Sequence, residues 1–212
     1  MHTISVNLYA FDELAPEVQK KVVERESSIN VDDTFNVDDT FWYKPIIEDW
    51  TEALEHRGFE HVKILFSGFG SQGDGACFEA RINMAAYLAA YHLQATYPLL
   101  ATSPEYTQVS LQHRGGMYYH ERSTVLVPYF NAEAVNPNGS GISDEETRVE
   151  QEYEALEKDI SQEAVRLGRH IYTVLEDEFF HQISAEAVQD TLMANEYTYL
   201  SDGRRFTMPA PA

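Results

Sequence analysis

Phe66-Ser-Gly-Phe-Gly-Ser-Gln-Gly-Asp-Gly-Ala-Cys-Phe78 is the stretch on which the fold turns. Gly68, Gly70 and Gly73 match the spacing G-x-G-x-x-G, which in a dinucleotide-binding βαβ unit joins a strand to a helix. That fingerprint needs a helix opening at the third glycine and an acid about 20 residues on. Here Ala76-Cys-Phe-Glu-Ala-Arg-Ile82 alternates as a strand does, and positions 90–98 hold no acid. No Walker lysine follows, which excludes a P-loop. The stretch reads instead as a polar, glycine-rich turn between two strands, His61–Phe66 and Ala76–Ile82.

Working outward, Met84–Ala95 has strong helix propensity, and strands are expected at Tyr106–His113 and Met117–Val127, joined by a turn at Arg114-Gly115-Gly116. Upstream, Trp42–Arg57 places Ile46, Trp50, Ala53 and Leu54 on one helical face, with Gly58 as the stop. A short strand at Ile4–Tyr9 precedes a helix capped by Asp12, with Pro16 in its first turn. Asn131–Asp144 (NAEAVNPNGSGISD) is a loop and the candidate hinge. Beyond it Val149, Tyr153, Leu156, Ile160, Ala164, Leu167, Ile171 and Val174 recur at spacings of three and four. They predict an amphipathic helix of about 30 residues. Ser184 caps a helix through Met193, and Tyr197–Phe206 predicts a hairpin turning at Ser201-Asp202-Gly203. Local strand pairs with helices gathered at both ends give an α+β fold, a small antiparallel sheet packed with helices, as a single domain over residues 1–212.

Asn30–Phe35 (NVDDTF) is repeated at once as Asn36–Phe41. Two copies of six residues suit neither a helix face nor a solenoid, so the pair reads as a duplicated surface loop. Asp32, Asp33, Asp38 and Asp39 lack the glycine and terminal glutamate of an EF-hand loop. The whole chain of 212 residues carries 15 Lys and Arg against 35 Asp and Glu, a formal charge of −20. Such a balance disfavours direct nucleic-acid binding and anionic membrane surfaces. The charge is uneven. Between Glu60 and Phe130 five acids face four bases, Lys63, Arg81, Arg114 and Arg122; either the central sheet tolerates an anionic ligand that the flanks would repel, or charges simply thin out where strands are buried. One cysteine, Cys77, excludes an intrachain disulfide, and no apolar run approaches the ~18 residues of a membrane span. The N-terminus MHTISVNLYAFDEL lacks an export signal's basic and apolar regions, so a cytoplasmic protein is expected.

Two clusters carry chemistry. The glycine loop, with Ser67, Ser71, Gln72 and Asp74, is able to aim backbone N–H groups at an anion, or to be an exposed tight hairpin. The segment His113-Arg-Gly-Gly-Met-Tyr-Tyr-His120-Glu121-Arg122 sets two histidines and two tyrosines around a turn. Histidines paired across a strand bind metals or share acid–base work, with Asp74 or Glu121 as the third group, yet neither H-x-E nor H-E-x-x-H occurs there. A serine nucleophile at Ser67 or Ser71 lacks the G-x-S-x-G elbow. No metal and no cofactor are therefore expected. On the long helix, Glu145, Glu146, Glu150, Glu152, Glu154, Glu157 and Asp159 form either a solvated face or a surface for a basic partner.

Phe66–Phe78 resembles a phage-encoded family whose hallmark is close to F-S-G-F-x-S-Q-G-D-G-A-x-F, often labelled "antitoxin of toxin–antitoxin stability system". His113–Glu121 is similar to its H…Y-x-H-E segment, and Ile183-Ser-Ala-Glu-Ala-Val…Ala194-Asn-Glu-Tyr…Asp202-Gly-Arg204 to its ending. The doubled NVDDTF departs from the pattern. The resemblance implies a phage accessory protein in the host bacterial cytoplasm, and it marks Gln72, Asp74, His113, Tyr119 and His120 as the matching site positions. The expectation is a binding protein that neutralises a host defence or toxin component. A pocket of Ser71, Gln72, Asp74, His113, Tyr119 and His120 would hold a small anionic ligand met by Arg81 or Arg114. The alternatives are a metal-assisted hydrolase using Asp74, His113 and His120, or an acidic decoy. The length of the apolar stripe on the long helix adds a homodimer as a further expectation.

Overall fold

Alternating apolar and polar residues on either side of the glycine loop make a hairpin, and the computed structural model builds its sheet on that hairpin. The structure describes residues 5–32, 41–102, 107–130 and 144–207. Most of the doubled NVDDTF segment, and residues 131–143 of the expected hinge, lie outside them. Contacts divide the chain into two compact units, Pro45–Glu176, and Met1–Lys44 with Asp177–Ala212.

In the unit Pro45–Glu176, β1 (Phe59–Ser67), β2 (Gly75–Ile82), β3 (Thr107–His113) and β4 (Thr124–Phe130) form an antiparallel sheet in the order β1-β2-β3-β4. β1 and β2 pair from Phe59↔Ile82 to Ser67↔Gly75, which places the glycine loop at one end of the hairpin. Gly58, at φ +86°, ends the helix α2 (Lys44–Glu55) where the sequence puts the stop. The covered face of the sheet carries Phe59, Phe78, Val109 and Leu111, all buried. Phe59 meets Phe78 and Tyr87 edge-on at 5.3 and 5.6 Å. The opposite face is more exposed and more polar, with Lys63 paired to Glu79 at 3.7 Å, although Cys77 on it is buried. That asymmetry is what an antiparallel sheet with one solvated side requires.

Two short helices, α3 (Met84–Ala90) and α4 (Pro98–Thr102), connect β2 to β3. Asn83 caps α3 by accepting the Ala86 N–H at 3.1 Å. Helix α5 (Asp144–Gln182) runs for 39 residues, about 58 Å at the standard rise. Its expected stripe is buried at Val149, Tyr153, Leu156, Ile160, Ala164, Leu167 and Ile171, and then at Leu175 rather than Val174. The stripe is thus covered within one chain, which removes the reason the sequence offered for a homodimer. Several acids of the helix are also engaged. Tyr97 donates to Asp159 at 2.5 Å, Tyr91 to Glu163 at 2.7 Å, and the Leu99 N–H to Glu152 at 3.0 Å.

In the other unit, a 3-10 turn (Phe11–Glu13), α1 (Pro16–Arg25) and α6 (Ala185–Ala194) enclose Phe11, Leu14, Val22, Val23, Val188, Leu192 and Tyr199. Among the described residues 5–9 of the expected strand Ile4–Tyr9 there is one bridge, Tyr9↔Tyr199, with N–H···O distances of 2.9 and 2.8 Å. Tyr199 also bridges Arg205, and Gly203 ends the expected turn with its N–H donating to the Leu200 carbonyl. The ends of the repeat are tied down. Asn30 donates to the Gln182 carbonyl at 2.9 Å and accepts from the Thr191 hydroxyl at 2.7 Å, while Phe41 stacks on Tyr43.

Candidate functional site

Two loops emerge at the same end of the sheet, residues 68–74 between β1 and β2 and residues 114–123 between β3 and β4. The glycine loop does turn N–H groups onto an anion, and that anion belongs to the protein. Gly70 and Ser71 donate backbone N–H groups to Asp74 Oδ2 at 3.0 and 2.6 Å. Asp74 is therefore the loop's internal anchor, and Ser71 and Gln72 sit exposed around it. Phe69 stacks on Tyr172 of α5 at 5.5 Å and holds the loop against the helix. Burial and the neighbouring Glu176 push the Tyr172 phenol up to about 12.

The second loop corrects the tight turn expected at Gly115-Gly116. The strand expected from Met117 begins only at Thr124, and ten residues form a closed loop several of whose polar groups are met by side chains of the loop and its flanks. Across its neck Arg114 donates its N–H to the Ser123 carbonyl at 2.8 Å. His113 Nδ1 accepts the Gly115 N–H at 3.2 Å, leaving Nε2 to donate to the Tyr118 carbonyl at 3.2 Å. His120 repeats the arrangement. Its Nδ1 accepts the Arg122 N–H at 3.3 Å, and its Nε2 lies 3.0 Å from Glu121 Oε2. The other Glu121 oxygen takes Arg169 of α5 at 3.1 Å.

The two loops pack closely. A Cβ on Gly75 would stand 2.9 Å from His120 Cα, and the Tyr119 N–H reaches Ser67 Oγ at 3.5 Å. The Tyr119 and His113 rings are 5.0 Å apart. So Asp74, His113, Tyr119 and His120 are brought into one neighbourhood, but the chemistry differs from the expectation. Each histidine spends both ring nitrogens on its own loop, and Asp74 spends its Oδ2 on backbone. Among the described residues no group of three His, Cys, Asp or Glu side chains is arranged to hold a metal ion. Arg81 does not join them. It sits near the far end of β2, about 20 Å along the strand from Gly75, paired with Glu60 at 2.8 Å. The Asn83 and Arg81 hydrogen bonds hold the Glu60 carboxyl below its ordinary range.

Beside these loops lies a cleft of about 400 Å³ between the β3–β4 end of the sheet and α5. Its floor is apolar, with Leu111, Leu126, Ala164 and Val165, and its polar lining is Arg114, Glu121, Arg122, Thr124 and Ser161. Arg114 and Arg122 are exposed, and among the described residues neither has an ion-pair partner. Arg114 was legible as a candidate. Arg122 stood at the end of the His113–Arg122 segment and among the four bases of the least acidic stretch without being a candidate ligand, and nothing in the sequence brings Ser161 to it. The loop supplies the missing step by folding its two ends together.

Residues 42–185, more than half of the chain, match the family described as a domain of unknown function, DUF8835. The matched span contains both loops and the whole cleft. No curated protein and no solved structure matches the chain.

Proposed function

We propose that this chain, which belongs to the DUF8835 family, acts by binding rather than by catalysis, and that its ligand presents an anionic group to the Arg114–Arg122 cleft. The observation that carries the reading is two exposed guanidiniums without acidic partners on one cleft, in a protein of formal charge −20. Although acids outnumber bases thirty-five to fifteen, none among the described residues pairs with either arginine, which leaves both guanidiniums available to an anion from outside. The anion-holding role thereby moves from the glycine loop, whose N–H groups Asp74 occupies, to the neighbouring cleft. In this reading the glycine loop and the histidine loop are the scaffold that sets the two arginines.

The resemblance of Phe66–Phe78 to the phage family extends the proposal to a phage accessory protein that neutralises a host defence or toxin component in the bacterial cytoplasm, by sequestering its ligand. Native mass spectrometry of the chain recovered from host-cell lysate tests it. A small-molecule adduct on the wild type, lost in Arg114→Ala/Arg122→Ala, is the expected result. A bound host protein retained equally by the double variant would overturn it in favour of the acidic surface of α5.

A further inference from the structure

The cleft holds more than two cations, and its remaining groups narrow the ligand. Resting on the anion-binding reading above, the geometry points to a phosphate monoester borne on a hydroxylated body, that is, a sugar phosphate, free or as part of a nucleotide. A single carboxylate satisfies one guanidinium fork, whereas a phosphate dianion offers three acceptor oxygens and enough charge for both Arg114 and Arg122. The Ser161 side chain, in the same lining, brings a hydroxyl donor for a remaining lone pair, while the Thr124 hydroxyl donates to the Phe78 carbonyl at 3.4 Å. Glu121 makes the opposite demand. It is nearly buried, lines the same cleft, and accepts only, with His120 and Arg169 using one bond on each oxygen. A carboxylate has about four acceptor positions, so two remain. An anion cannot fill them, but a ligand hydroxyl can. At about 400 Å³ the cleft is also larger than an inorganic ion fills and lies in the range of small organic ligands. Leu111, Leu126 and Val165 give the body an apolar wall.

Calorimetric titration of the full chain with ribose-5-phosphate, adenosine monophosphate, inorganic phosphate and succinate is the test. Ribose-5-phosphate is expected to bind about tenfold or more tightly than inorganic phosphate or succinate. Arg114→Ala/Arg122→Ala should abolish binding of every anion, while Glu121→Gln should erase the advantage of the sugar phosphate over inorganic phosphate. If Glu121→Gln unfolds, titration of the wild type with ethyl phosphate, a monoester without free hydroxyls or a second charged group, makes the same comparison. Adenosine monophosphate binding tighter than ribose-5-phosphate supports a nucleotide source, and equal affinity supports a free sugar phosphate. Succinate or inorganic phosphate binding as well as ribose-5-phosphate would overturn the inference and leave the anion reading standing. Binding of none of the four would overturn both.

Discussion

Asp74 shows how one side chain reverses the meaning of a motif. Glycine-rich loops after strands are read as cradles for phosphate because their N–H groups are free, and here the carboxylate four residues on from Gly70 takes them. Asp74→Ala is therefore expected to cost about 1–2 kcal/mol of stability, from two backbone donors losing a charge-assisted acceptor. It should leave anion affinity within about twofold. A melting curve and a titration of the same variant check both halves. The glycines next to it obey sterics rather than chemistry. Gly168 lies inside α5, where alanine would ordinarily gain about 1 kcal/mol. Its Cβ would stand 2.8 Å from the Ala76 carbonyl oxygen, and backbone cannot step aside. Gly168→Ala should therefore destabilise by about 1–3 kcal/mol, as overpacking does, and a stabilised variant would refute the close approach. Tyr199 makes the contrary case. Its hydroxyl is fully buried and, among the described residues, without a hydrogen-bond partner, and burial raises its phenol pKa. Tyr199→Phe should keep the ring packing against Phe11 and melt at or above the wild-type temperature.

At the scale of elements, the β1–β2 hairpin was legible and the β3–β4 connection was not, for a physical reason. Residues 61–66 and 76–82 alternate, and alternation directly encodes a half-covered sheet. Residues 117–123 also look strand-like by composition, but their backbone groups pair with His113, His120 and Ser123 instead of a neighbouring strand. Such competition from local side chains leaves no periodic trace. The α3–α4 segment gives a second example. Its sequence shows only helix propensity, and nothing in it shows that Tyr97 and Tyr91 are tethers to carboxylates on α5. Burial, then the hydrogen bond to Asp159, pushes the Tyr97 phenol up to about 12, and the same forces raise Tyr91 further. Because the folded value lies above the ordinary phenol value near 10, the tethers contribute fully below about pH 10 and are lost as pH rises from about 10 to about 12. The denaturant midpoint should fall across that window, and Tyr97→Phe should flatten the fall. A midpoint independent of pH there would contradict the tether. On the acid side burial pushes the Glu163 carboxyl upward, but hydrogen bonds from Arg166 and Tyr91 outweigh it, so its pKa is lowered. Its contribution is present above the ordinary carboxyl range and is lost as pH falls through the lower folded value.

For the molecule as a whole, the decisive quantity is the contrast between a net charge of −20 and a cleft lined by two unpaired arginines. An approaching anion meets the summed field of the acids at long range and the guanidiniums only at contact. Salt weakens these unequally. Raising ionic strength from about 0.01 M to about 0.15 M shortens the screening length from about 30 Å to about 8 Å. That removes most of the distant repulsion and little of the attraction inside the cleft. The association rate for ribose-5-phosphate is therefore expected to rise over this range, opposite to the behaviour of a basic protein meeting an anion. Stopped-flow mixing at the two salt concentrations measures it, with Arg114→Ala/Arg122→Ala as the control that shows no binding at either. If the acidic surface were the working one, a basic partner would associate more slowly as salt rises, because the same field would then be attractive. Two acids of that surface, Glu152 and Asp159, are already committed within the chain and, with Glu163, hold the α3–α4 segment. The field that remains is general repulsion, and repulsion of that kind selects for ligands small enough to reach the arginines.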